Sequence, residues 1–578
     1  MEVRKSFEEF FEKIPKKKIV KGIILASGAF VVYKIGKYSL NKLKLWSKKK
    51  GKRPRVLSES IDEVKVPENS KKEYILSLKA WEITQEIKTG KITPEEVLGT
   101  YIEKAYKRGR KFKLTSEEPF DDARERLKTL CDGPLYGVPI SVKDRISQEF
   151  CHSICVDGVL SEMPDSEDSI LISQLRKAGA IPFIRGKALN SALSGSNKPL
   201  NPWDESRTPG GSSGGDAGLI CSQSSPLSIA SDVVGSLRVS AALCGVYGFK
   251  PTYRRVTCSG SNTAYSVQAS FIDPLVKPTY GPIGKCVDDL VTVMKAWWQP
   301  EMWQKDFTIA PLKFNDTEYL NEKKLRIGYF DNNGICECSR VTKRIIKATV
   351  KKFKDDGHEI VIMQTEIMDK AMELFIRAVY SLEYRYMMEE MHDDDHIWEE
   401  LWEYYEDHLP FGKKILEILE KLMGTETLTK YLPFAKPVSS KEFRDLVREI
   451  NEFITTFNSY WNKLRLDIAI CPIWPLVAPL HKTASKIPQA FSYSLLWNLL
   501  DYPAGVVPIR CVKKGENIFY CLSKEAYAQT AKEIMKDSIG LPVCIQVVGR
   551  TYEDEKVLRA MKLVQGYWQF YQLARVKE

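Results

Sequence analysis

The feature that most constrains the fold is a set of short apolar runs, GVPISVKD, AGAIPFIRG, LRIGYFD, LDIAICPIW, AGVVPIRCV and LPVCIQVVG, spread over residues 137–549. Each has the length and composition of a buried strand. Helical patterns lie between many of them, and two amphipathic stretches, Tyr74 to Thr89 and Thr93 to Lys107, precede the first. That alternation predicts an α/β architecture around a large, mostly covered sheet. With 578 residues, 43% of them hydrophobic, the chain can fill such a core. It carries no internal repeat.

A formal net charge of +11 suggests a basic protein until it is mapped along the chain. Residues 1–55 hold 17 Lys and Arg against four Glu, which leaves the remainder close to −2. The body therefore has no compositional reason to bind nucleic acid. Within the basic segment, KKKIVKGIILASGAFVVYKIGK contains an uncharged run from Gly22 to Tyr33. That run is shorter than the ~20 residues of a comfortable membrane span. Extended to Ile19 and Ile35 it includes Lys21 and Lys34, whose stems can snorkel to the two interfaces. Glu2, Glu8, Glu9 and Glu12 argue against a mitochondrial presequence. The flank KLKLWSKKKGKRPR suits an anionic headgroup layer.

Residues 13–55 are thus expected to attach to an anionic membrane surface, spanning it or lying flat, with the body facing the cytosol. A polar connector to about residue 72 closes this first segment, and residues 73–578 form the second, globular one. Thirteen cysteines, an odd number without CxxC pairs, fit free thiols in a reducing compartment. His392 and His396 have helical ligand spacing beside Asp393 to Asp395, but a solvated acidic surface is the simpler reading. Phe411, Ile415, Leu416, Ile418, Leu419, Leu422 and Met423 line one side of a charged helix, to be packed on the core or laid on a membrane.

Three polar sites stand in small or apolar surroundings. Lys143 ends the first strand run, where burial would lower its pKa and let it act as a base. The stretch TPGGSSGGDAG (208–218) allows close backbone approach to a ligand or forms a flexible loop, and has neither a P-loop nor a dinucleotide signature. SDVVGSLR ends its loop at Ser236, with no His or Cys beside it to serve as base. A neutral Lys relayed through a second hydroxyl can replace His, and Ser212 supplies that hydroxyl.

In this order, GVPISVKD, TPGGSSGGDAG and SDVVGSLRVSAALCGVYGFKPT resemble the amidase signature family, and the likeness continues through GPIGKCVDDL and GLPVCIQVVGR. NLLDYPAGVVPIRCV and the apolar, basic N-terminus are most similar to the fatty acid amide hydrolase group. The resemblance covers about residues 75–570. It implies a large mixed, twisted sheet with helices on both faces, and a serine hydrolase using a Ser-Ser-Lys triad. Lys143, Ser212 and Ser236 match the triad, and the backbone amides of Val233, Val234, Gly235 and Ser236 match the oxyanion hole.

On that reading the substrate is a long-chain acyl amide, no metal or organic cofactor is required, and a homodimer is left open. A short-acyl or glutamine-type amidase, or a catalytically impaired structural subunit, is the alternative. The family usually has Gly-Gly-Ser where this chain has Val234-Gly235-Ser236. A positive φ at Val234 would strain the loop, whereas a negative one would leave its N–H usable.

Overall fold

Of the eleven strands found among the described residues, each predicted run supplies one. They are β1 (Thr115–Glu117), β2 (Pro139–Lys143), β3 (Ile181–Gly186), β4 (Leu227–Asp232), β5 (Tyr247–Lys250), β6 (Thr279–Gly284), β7 (Arg326–Tyr329), β8 (Glu359–Ile362), β9 (Ile468–Cys471), β10 (Ala504–Cys511) and β11 (Pro542–Val548). A computed structural model describes residues 57–58, 61, 64–153, 163–188, 198–259, 275–383, 430–431, 434, 438–521 and 525–570. The membrane-attachment stretch 13–55, His392, His396 and the 411–423 helix lie outside the described residues. Among the described residues no helix is long and apolar enough to cross a membrane.

The strands form one mixed sheet in the order β1-β3-β2-β4-β6-β5-β10-β11-β9-β7-β8. β2 runs parallel to both β3 and β4, and β7 runs parallel to β8 and β9. Between them, β6, β5, β10 and β11 pair antiparallel. Every residue of β2, β3, β4, β5, β6, β9 and β11 is buried. Burial on both faces means that helices cover the sheet on each side, which is why these strands are nearly continuous in apolar and small residues.

The first predicted helix is broken in two, Asn69–Ser77 and Ala80–Lys88, so its start reaches into the expected connector. Leu78 is extended, and the Glu82 carboxylate accepts the Lys79 N–H at 2.9 Å to start the second helix. The carbonyls of Leu76 and Leu78 accept from Lys285 Nζ at 3.0 and 2.9 Å, which satisfies the end of the first. The second predicted helix runs from Pro94, behind a Thr93–Glu96 capping box, to Lys104 and continues as a π turn to Gly109.

Candidate active site

Three hydroxyls surround the end of β2. Lys143 is fully buried, and its Nζ lies 2.7 Å from Ser212 Oγ, 2.8 Å from Ser213 Oγ and 2.8 Å from Ser231 Oγ. β2 carries the lysine into the sheet because Ile140 and Val142 are buried core positions. The Gly-rich loop brings Ser212 and Ser213 to it, through a cis Gly211–Ser212 peptide, just before the helix Gly214–Cys221. β4 delivers Ser231, and Ser213 Oγ also donates to the Ser231 carbonyl at 3.1 Å. Burial pushes the Lys143 ammonium down to about 8, opposed chiefly by the negative charge of Asp216. A lysine so placed is neutral far more often than an exposed one at the same pH, and in that form it can accept a proton.

Ser236 opens the helix Ser236–Cys244 and is half-buried, as is Ser212. Lys143 and Ser212 are thus in hydrogen-bond contact. No hydrogen bond joins Ser212 to Ser236 among the described residues, so a relay between them would need the Ser212 hydroxyl to turn from the lysine toward Ser236.

The loop before Ser236 is fixed by a buried polar network. Asp232, at the end of β4, accepts from Arg238 Nε at 2.9 Å and Nη2 at 3.0 Å, and from the Gly235 N–H at 2.9 Å. Burial opposes the Asp232 charge, but the Arg238 guanidinium holds its carboxyl below the ordinary range. Arg238 also donates to Asn498 Oδ1 at 2.6 Å, Gln546 Oε1 at 3.1 Å and the Ser494 carbonyl at 3.2 Å. Ser494 Oγ donates to the Val234 carbonyl. The Val234–Gly235 peptide is therefore pinned at both ends, its C=O by Ser494 and its N–H by Asp232. The Gly235 amide, matched to the oxyanion hole, is turned to Asp232 in this structure.

Val234 is not among the described non-glycine residues with positive φ; the left-handed step falls on Gly235, at φ 107°. The departure from Gly-Gly-Ser thus costs no backbone strain. Gly235 is required twice, because a Cβ there would also lie 2.5 Å from Ser494 Cβ and Oγ. Gly235→Ala is expected to lower turnover by about 100-fold through displacement of Ser236, with circular dichroism unchanged. The double variant with Ser494→Gly should recover part of that loss, and a Gly235→Ala enzyme with ordinary turnover would contradict the steric argument.

Ser213, Ser231, Ser494 and Asn498 were not singled out from the sequence. Ser213, Ser231 and Asn498 do lie within the motifs TPGGSSGGDAG, SDVVGSLR and NLLDYPAGVVPIRCV, without a role assigned there; Ser494 is recognisable through tertiary contact alone.

A family model described as amidase matches residues 96–558. The chain belongs to the amidase family and is a hydrolase of carboxylic amides. It is 28% identical over 513 residues to fatty-acid amide hydrolase 1 of Sus scrofa, covering 85% of this chain and 86% of that one. Over 527 residues it is 27% identical to fatty acid amide hydrolase 1 of Caenorhabditis elegans, covering 86% and 89%. A solved structure of fatty acid amide hydrolase shares the fold, with a TM-score of 0.71 at 21% identity over 86% of each chain.

Proposed function

We propose that this amidase cleaves long-chain acyl amides to fatty acid and amine, with Ser236 as nucleophile, Ser212 as relay and Lys143 as base. The observation that carries the catalytic part is the fully buried Lys143 amine, 2.7 Å from Ser212 Oγ, in the loop-and-strand junction that leads to Ser236. Neutral Lys143 accepts the Ser212 proton as Ser212 accepts that of Ser236, whose Oγ attacks the carbonyl carbon. The oxyanion is received by amides of the Val233–Ser236 loop, with Gly235 contributing only if its bond to Asp232 is shared. The proton returns through Ser212 to the leaving nitrogen, and water then hydrolyses the acyl-enzyme.

The acyl-chain preference rests on the two fatty acid amide hydrolases, each matched over at least 85% of this chain. The apolar and basic run within residues 13–55 supports attachment of the 73–578 body to an anionic membrane. Detergent-solubilised protein, assayed on matched long-acyl and short-acyl amides, tests the substrate class. Faster long-acyl turnover is expected, and a short-acyl preference would replace this reading by that of a short-chain amidase.

Because the base form of Lys143 grows as pH rises, kcat/KM is expected to climb through about pH 8 and level off above it. The sign follows from the depressed lysine: protonated below that value it cannot accept the relay proton, and neutral above it can. A pH–rate profile that falls over pH 7–9 would rule out Lys143 as the base.

A further inference from the structure

Asp216, in the first turn of the helix Gly214–Cys221, is fully buried and has no part in the relay described above. Its place is set by Gly186 on β3, the residue paired in register with Lys143 on β2. A Cβ on Gly186 would come within 2.0 Å of Asp216 Oδ1, so the carboxyl fills the space that a side chain at 186 would occupy. Neighbouring in-register positions of a sheet point to the same face. The carboxyl therefore sits beside the lysine on that face.

Ser228 on β4, paired with Ser141 two residues before Lys143, donates to Asp216 Oδ1 at 3.3 Å. The other oxygen, Oδ2, is buried with no hydrogen-bond partner among the described residues. No ion pair joins Asp216 to Lys143, so their interaction acts through the intervening low-dielectric space.

Other charged groups lie around the pair, and of these Asp144 keeps one buried carboxyl oxygen without a hydrogen-bond partner among the described residues and bears on both Lys143 and Asp216. Asp144, next along β2, accepts the Ala188 N–H at 2.9 Å. Arg185 on β3 donates to the Ile146 carbonyl at 2.7 Å, Gln148 Oε1 at 3.2 Å and Ser153 Oγ at 3.4 Å. Asp232 at the end of β4 is held by Arg238. Arg145, following Asp144, is the remaining cation that bears on Lys143 and opposes its charge.

We propose that Asp216 is a positioning residue for the hydrolase, a buried ionisable neighbour that holds the proton on Lys143 and so sets the acid limit of the reaction. The inference rests on the Ser236–Ser212–Lys143 reading. Burial raises the Asp216 carboxyl to about 7, with the Lys143 charge opposing that rise, while Asp216 is the largest influence opposing the fall of Lys143. Two groups so linked titrate as a pair, and removing the charge of one moves the other. An ionised Asp216 favours the ammonium, so its loss favours the neutral amine that the relay needs.

The test is the pH dependence of fluorophosphonate labelling and of amide hydrolysis in the full-length, detergent-solubilised protein. Asp216→Asn is expected to move the acid limb of both profiles down by about one pH unit. Asp216→Glu, which keeps the charge, should leave the limb near its original place. An unmoved limb in folded Asp216→Asn overturns the proposal. Should Asp216→Asn fail to fold, Ser228→Ala decides: removing the bond to Oδ1 weakens the carboxylate, so a smaller downward shift is expected and none would overturn it. Labelling that persists in Ser236→Ala, or a profile that survives Lys143→Ala, would instead sink the relay reading and this proposal with it. An unmoved limb beside normal Ser236-dependent labelling sinks the role of Asp216 alone.

Discussion

Ser236→Ala is expected to lower amide hydrolysis by about 10⁴-fold or more and to remove fluorophosphonate labelling, while circular dichroism and elution volume stay as in the parent. The size follows from deleting the proposed attacking atom, for which no nearby hydroxyl can substitute: Ser212, Ser213 and Ser231 all face Lys143. The fold should tolerate the change because Ser236 Oγ makes no hydrogen bond among the described residues and the helix it opens is held by Arg238, two residues further on. A variant that kept a tenth of the parent activity would place the nucleophile elsewhere.

The largest stability effect is expected from Arg238→Ala. Arg238 and Asp232 are both fully buried, and removing the guanidinium leaves the Asp232 carboxylate without its cation in the interior. Breaking such a pair from one side typically costs about 3–5 kcal/mol. The midpoint of urea unfolding should fall accordingly, and activity should be lost with the Asp232-anchored loop. Asn498 Nδ2, 3.1 Å from Asp232 Oδ1, remains to soften the loss but brings no charge. An unchanged midpoint would mean that the pair is hydrated in solution. The double variant Asp232→Asn, Arg238→Met should be less destabilised than Arg238→Ala alone, since it leaves no unpaired charge.

The sequence was legible where burial writes itself as a run of apolar residues. β2, β3, β7, β9, β10 and β11 each lie in such a run. β4 and β6 were harder to see, because LSIASD and TYGPIG mix serines, glycines and a proline into fully buried strands. The β4 serines are admissible there only because each finds a partner, Ser228 in Asp216 and Ser231 in Lys143. The contact between Lys143 and Ser212 could be expected from ordered motifs. The clamp on the loop before Ser236 could not, since Ser494, Asn498 and Gln546 lie some 260 to 310 positions along the chain from their partners. The Val-for-Gly change at 234 looked hazardous in sequence because the one residue that bears the left-handed turn, Gly235, is identified only by its backbone angle.

That same clamp has a consequence for the order in which the protein is made. Lys143, Ser212 and Ser236 are all present once the first 236 residues have been synthesised, but the groups that hold Arg238, and through it Asp232, come from the last third of the chain. At ordinary elongation rates Gln546 follows Ser236 by roughly 15–60 s. Until β11 docks beside β10 and β9, Arg238 lacks its bond to Gln546 and the Val234–Gly235 peptide lacks a finished frame. Completion of the frame around Ser236 is thereby delayed until Gln546 has been made, and over that interval a growing chain carries the serine without the groups that fix its loop.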